Sequence, residues 1–228
     1  MRIWLVSKFI EFLEYLLHLK LAAYLKKNVR KPRTSEVIFD VGANQGSMTK
    51  LFLKLYKGIK IFAFEPLPIF KVKSSQVKSS QVALGSRMGS LKFYECEHKA
   101  SSSLILPDTN SSWMRLKSRI LGTDPELLYK ERLIEVTTID HVVDENSIIT
   151  IFYLKIDTEG NELDILKGAS ESLKKGVIRN IQIEVHQTLM RSNNSKEIEQ
   201  LLIGHGYICK KTFKHLFGNF SEKIYSLK

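Results

Sequence analysis

Three short stretches of this chain carry groups able to do chemistry, each where an apolar run gives way to acids or glycine. FDVGANQG (39–46) sets Asp40 behind an apolar VIF, then Gly42 and Gly46. KIDTEGNE (155–162) gathers Lys155, Asp157 and Glu159 at the end of a second apolar run. IEVH (183–186) puts Glu184 two residues before His186. In a doubly wound α/β protein such residues fall beyond the carboxyl ends of parallel strands, which is where ligands bind.

The chemistry follows from residue type. Gly42 and Gly46 permit a tight turn and let a ligand approach the backbone. A helix starting near Ser47 directs its free N–H groups at that ligand. Asp40 can accept from a cationic or amino-bearing group, directly or through water. The next strand ends FAFEP, with Glu65 19 residues after Gly46. An acid at that offset can accept from both hydroxyls of a ribose. The glycines form GxxxG behind an acid, not GxGxxG, which suits a nucleoside with a short carboxylated tail better than a dinucleotide. S-adenosylmethionine has that shape. Lys155 and Asp157 are two apart and share a face. A Lys in an apolar strand needs a partner, and Asp157 is the nearest. Glu184 and His186 share a face in the same way. An imidazole titrates near neutrality and suits proton removal from an alcohol. His186 is therefore the expected base, with Asp157 and Glu184 placing the acceptor. The alternative is structural: glycine-bearing turns, helix-starting acids and an ion pair.

These groups need strands beneath them. EVIFDV, IKIFAFE, QVALG, SLKFYEC, ITIFYLKID, NIQIEVH, ICKKTF and EKIYSLK read as strands, and LIEVTTID as extended. SMTKLFLKLY, NELDILKGASESLKK and SKEIEQLLIGHGY read as helices. The alternation predicts βαβ units and a mostly parallel sheet. Residues 98–130 are weakly patterned and rich in turn signals, a long irregular insertion of the kind used as a lid or binding loop. VKSSQVKSSQV (72–82) repeats five residues in tandem, which matches no repeat architecture and reads as a local duplication in a helix or loop.

Composition narrows the classes. The 228 residues suffice for one sizeable domain plus an extension, divided here as residues 1–30 and 31–228. Cys96 and Cys209 stand far apart, with no metal-binding Cys/His pattern, so neither a zinc site nor a disulfide framework is expected. A cytoplasmic location is the default. The net charge of +11 comes from scattered Lys and Arg without a nucleic-acid-binding signature, so nucleic acid is a poor candidate partner. The leading segment MRIWLVSKFIEFLEYLLHLKLAAYLKK is too interrupted by charge to span a bilayer and lacks a signal peptide's uncharged core. As a helix it has one narrow polar stripe, Ser7, Glu11, Glu14 and His18, and a wide apolar face. That face must be covered by the domain, a second subunit in a homo-oligomer, or a membrane surface.

FDVGANQG, IFAFEPLP, VALG and LKIDTEGNELDILKG, in this order, resemble the FkbM-type S-adenosylmethionine-dependent methyltransferases over about residues 35–190. The resemblance implies a Rossmann-like class I methyltransferase fold: a mostly parallel seven-stranded sheet, its last strand antiparallel, with helices on both faces, here with an N-terminal helical extension. It implies O-methylation of hydroxyls on sugars, glycolipids or secondary metabolites. Asp40, Gly42, Asn44 and Gly46 match the family's cofactor loop, Glu65 its ribose-binding acid, and Ala83 and Leu84 its adenine segment. Asp157, Glu159, Gly160 and Glu162 match its KIDxEGxE signature. The KVKSSQ duplication stands where the family has a longer helix. Two other readings compete. One is a nucleotide-sugar-binding dehydrogenase or reductase, which shares the strand-end Glu65 but whose GxGxxG is absent here. The other is a catalytically silent scaffold or membrane-associated binding protein of the same fold.

Overall fold

The computed structural model describes residues 2–96, 129–186, 194–214 and 220–228, and, from Tyr15 onward, their side chains except those of Cys96, Tyr129, His186 and Phe220. The irregular insertion at 98–130 lies almost wholly outside them. In chain order the elements are α1 (Arg2–Asn28), β1 (Val37–Val41), α2 (Ser47–Leu55), β2 (Lys60–Phe64), β3 (Val77–Ser80), β4 (Ala83–Leu84), β5 (Gly89–Cys96), β6 (Tyr129–Thr137), α3 (Ile139–Glu145), β7 (Ile151–Ile156), α4 (Glu162–Lys167), α5 (Ser170–Lys174), β8 (Asn180–His186), α6 (Ser195–Gly204), β9 (Tyr207–Lys214) and β10 (Phe220–Leu227).

Seven strands form one sheet in the order β3-β2-β1-β7-β8-β10-β9. All neighbours pair parallel except β10, which runs antiparallel to both β8 and β9. This is the predicted fold, last strand reversed. The central strands VIFDV and IFYLKI are buried at every position, as strands covered on both faces must be. On one face Phe39, Val41, Phe62, Leu154 and Ile156 pack with α3, α4, α5 and α6. On the other, Ile38, Ile61, Phe152 and Tyr153 pack with Met48 and Phe52 of α2 and with Leu21 and Leu25 of α1. The N-terminal helix is thus part of this face, and the domain itself covers its C-terminal half.

Four features differ from the sequence expectations. The duplication at 72–82 contains β3, the edge strand of the main sheet. Its VKSS carries one apolar residue because an edge strand has little to bury. The extended reading of LIEVTTID stops at Thr137. Thr138 caps α3, its hydroxyl accepting from the N–H of His141. QVALG and SLKFYEC join β6 in a separate three-stranded sheet, β4-β6-β5. The helix read across 161–175 is two, α4 and α5, parted at Gly168. A Cβ there would come within 2.0 Å of the Gly85 carbonyl oxygen, so the chain passes too closely for any other residue.

Candidate active site

The carboxyl ends of β1, β2 and β7 converge through their backbones. The N–H groups of Gly42 and Ala43 both donate to the Phe64 carbonyl at 3.0 Å, and that of Asp157 to the Val41 carbonyl at 3.2 Å. Gly42 has φ +72, and a Cβ on it would lie 1.8 Å from the Asp157 carbonyl oxygen. Gly46, at φ +86, opens α2, and its missing Cβ makes room for Val72. Asn44 takes a left-handed φ of 49, which Asn tolerates better than most side chains.

That turn aims the Asn44 N–H at Glu65, and the chain just past β2 turns the Leu67 N–H back on the same carboxylate. Asn44 donates to one carboxylate oxygen at 2.9 Å and Leu67 to the other at 3.0 Å. The carboxylate is fixed in orientation, and each oxygen keeps a further acceptor site for a diol. Burial pushes the Glu65 carboxyl above its ordinary range, and the two N–H bonds oppose this. Ala83 and Leu84 are buried in β4, and the Leu84 carbonyl accepts from the Asn161 side chain at 2.9 Å, tying the β4 segment to the loop after β7.

On the other face of the sheet, Asp40 is fully buried. Its Oδ2 accepts from Thr49 of α2 at 2.6 Å, and its Oδ1 has no hydrogen bond but lies 3.5 Å from Lys155 Nζ. Lys155 also reaches Asp157 Oδ2 at 3.4 Å and donates to the Gly42 carbonyl at 3.0 Å. The expected Lys155–Asp157 pair is present, with Asp40 as a third member. Burial pulls the Lys155 pKa down, but Asp157, Asp40 and Glu222 outweigh it and leave it raised, so the ammonium stays charged.

Glu162 shapes the loop after β7. One of its oxygens accepts from the Thr158 N–H, the Thr158 hydroxyl and the Gly160 N–H. Glu159 and Gly160 follow Thr158 with φ of 62 and 116. In this signature Glu162 therefore builds the turn that leaves Asp157 at the rim, 41% exposed. Glu184 is half-buried in β8, and His186 is that strand's last residue.

Sequence reasoning did not find Glu222. It lies directly opposite Glu184 across the β10–β8 ladder and accepts from Gln182, which in turn accepts from Tyr153. Burial, and next the charge of Asp157, push its carboxyl up to about 7, against the pull of Lys155. Its folded-state pKa is raised, so the folded protein binds the extra proton. That stability is present below the ordinary carboxyl range and is lost as pH rises through about 7. Glu222→Gln is expected to melt at a progressively higher temperature than wild type between pH 5 and pH 7.5. The difference should grow by at most about 1.4 kcal/mol per pH unit. A melting difference independent of pH would contradict this placement.

A groove of about 520 Å³ lies on the α3 side of β2 and β3, walled by Phe62, Phe64, Ser80, Val82 and His141. None of Gly42, Glu65 or Asp157 lines it, so it is separate from the strand-tip site.

A seven-stranded sheet of this order, with a glycine turn after β1 and an acid gripped by two backbone N–H groups after β2, defines a class I methyltransferase fold. A family description, methyltransferase FkbM domain, matches residues 40–209, and the chain belongs to that family. It is 28% identical over 205 residues to 31-O-demethyl-FK506 methyltransferase FkbM of Streptomyces tacrolimicus, covering 81% of this chain and 76% of that one. It is 26% identical over 156 residues to 2-O-methyltransferase NoeI of Sinorhizobium fredii, covering 61% of this chain and 59% of that one. The crystal structure of methyltransferase FkbM from Methylobacillus flagellatus superposes with a TM-score of 0.55 at 16% identity, over 89% of this chain and 46% of that one. The chain thus spans about half the length of that structure and under two thirds of NoeI.

The family's cofactor is S-adenosylmethionine, and the strand-tip residues fit it. A ribose diol would find the remaining acceptor sites of Glu65, and the absent side chain at Gly42 lets the Asp157 backbone close up against the β1 turn beside it. Bound there, the cofactor supplies an activated methyl on a sulfonium.

Proposed function

We propose that this chain transfers a methyl group from S-adenosylmethionine to a hydroxyl of a sugar, glycolipid or secondary-metabolite acceptor. The observation that carries the reading is the Glu65 cradle, held by Asn44 and Leu67 across the β1 turn from Asp157. The O-methyl names of two relatives support oxygen as the acceptor atom. The protein's part is to hold the acceptor oxygen in line with the methyl and to remove its proton. In this reading His186 takes the proton, while Asp157 and Glu184 place the hydroxyl. Asp40 and Lys155 lie beneath them and fix the charge of the rim.

The proposed reaction uses no metal. Among the described residues no three His, Cys, Asp or Glu gather into a metal site. No helix among them is long and apolar enough to cross a membrane. The proposed setting is cytoplasmic. Tyr15 and Leu19 of α1 are exposed at 58% and 49%, which supports peripheral membrane contact or self-association through this helix.

The test has two arms. Titration calorimetry with S-adenosylmethionine should show binding to wild type and a loss of at least about tenfold in Glu65→Ala, since each charge-assisted bond is worth about 1.5–3 kcal/mol. Glu65→Gln, which keeps one acceptor oxygen, should lose less. An unchanged dissociation constant in Glu65→Ala would sink the cofactor assignment. Labelled methyl donor offered with glycan, lipid and small-alcohol pools then identifies the acceptor. Binding without transfer to any pool would favour the silent scaffold.

A further inference from the structure

The N-terminal helix reaches the active-site rim. Past its last turn, Arg30 holds Glu36 and lies over the Phe152 ring at 5.2 Å, fixing that end beside the start of β7. Leu25 and Leu21 are fully buried in the cluster beneath the helix. His18 follows at the next position of the same line, since 18, 21 and 25 share a helix face. Tyr15 and Leu19, turned toward the flank of the helix, are exposed, and His18 is half-buried between them and the cluster. From Asn28, the last residue of α1, back to His18 the helix climbs about 15 Å. From Phe152 to Asp157 the chain advances about 17 Å. His18 therefore comes near the β7 tip, where it feels the charges of Lys155, Asp157 and Asp40. The last residue of the polar stripe seen in the sequence faces the sheet because the sheet is polar there.

Resting on the reading of the Glu65 cradle as the methyl-donor site, the ribose lies at the β2 tip and the sulfonium end extends over the tips of β1 and β7. We infer that His18 is a wall residue of that pocket, placed by α1 against the cationic end of the bound donor. The charged groups around it are Asp40 of β1, Lys155 of β7, Asp157 just past that strand, and, facing the last two, Glu222 of β10. Burial first, then Lys155, lowers the His18 pKa, while Asp157 and Asp40 oppose this, so the ring is neutral at neutral pH. A neutral ring can sit beside a sulfonium; an imidazolium would meet both Lys155 and the ligand's charge.

The sign is definite. A bound cation lowers the His18 pKa further, so donor affinity is complete above the free protein's value and is lost as pH falls below it. S-adenosylhomocysteine has no sulfonium and should not share that loss. On full-length protein, the ratio of the two dissociation constants should therefore shift by about five- to tenfold against S-adenosylmethionine between pH 7.5 and pH 5. His18→Gln should abolish most of the shift. What remains belongs to Glu222, and Glu222→Gln should remove it. In wild type, the His18 ring resonance, assigned by its loss in His18→Gln, should titrate lower with S-adenosylmethionine than with S-adenosylhomocysteine. Equal titration in the two complexes, or a ratio unaltered by His18→Gln, overturns the placement. Absence of binding by both ligands at pH 7.5 overturns the cradle reading beneath it.

Discussion

Gly42→Ala is expected to destabilise the fold by at least about 3 kcal/mol, or roughly 6–12 °C in melting temperature for a chain of this size, and to abolish measurable S-adenosylmethionine binding. Two effects add. An alanine at φ +72 pays the left-handed penalty of about 1–2 kcal/mol. Its Cβ would also lie 1.8 Å from the Asp157 carbonyl oxygen, so the β1 and β7 tips must part. That parting breaks the same backbone contacts that aim Asn44 at Glu65. Gly58→Ala separates the two effects. Gly58 has a similar φ of +82, but nothing lies within 4 Å of its Cβ position. It should lose only the conformational part and bind the cofactor normally. Equal losses in the two variants would mean that the close approach has no energetic consequence. Thermal melts and calorimetry on both proteins decide it.

The contrast also shows what a sequence can and cannot display. The strands that carry the site were legible because VIFDV and IFYLKI are apolar runs, each interrupted by a single charge near its end and followed by glycine or acids. β3 was not, because VKSS at a sheet edge carries no apolar signature and was masked by its own duplication. α3 has apolar residues at Ile139, Val142 and Val143, a helical spacing, and Thr138 as its cap, but the β-branched run before it drew the extended reading across the boundary. The break between α4 and α5 at Gly168 is set by the passage of Gly85, 83 residues away in sequence, so no local signal reports it. The same holds for the active site. Asp157 and Glu65 advertise themselves by standing at strand ends. Glu222 comes beside Glu184 only through the register of the β10–β8 ladder, and His18 comes near the rim, as inferred above, only through the packing of α1 on the sheet. Motifs near the strand tips are readable; residues brought in by antiparallel pairing or by a packed helix are not.

The proposed base makes the other large prediction. His186→Ala is expected to lower kcat by roughly 10²–10⁴, the usual contribution of a general base, with cofactor affinity nearly unchanged. Asp157 is paired with Lys155 at 3.4 Å, which suits it to orienting a hydroxyl rather than accepting its proton. A carboxylate in its ordinary range is also a weak base at neutrality, whereas an imidazole is well matched. His186 ends β8, one strand beyond β7, on the acceptor side of the rim in this reading. In the transfer the acceptor O–H bond breaks as the new O–CH₃ bond forms, the S–CH₃ pair returns to sulfur, and the proton passes to the imidazole. The wild-type rate should therefore fall below the imidazole pKa, and the pH–rate profile of His186→Ala should lose that acidic limb. His18 makes a distinct prediction, because protonating it weakens donor binding. Its acidic effect appears in the KM for S-adenosylmethionine and vanishes at saturation, whereas that of His186 persists in kcat. Full turnover by His186→Ala with its acidic limb intact would place the base elsewhere. Sensitivity of that turnover to a chelator would then point to a metal held by the rim carboxylates.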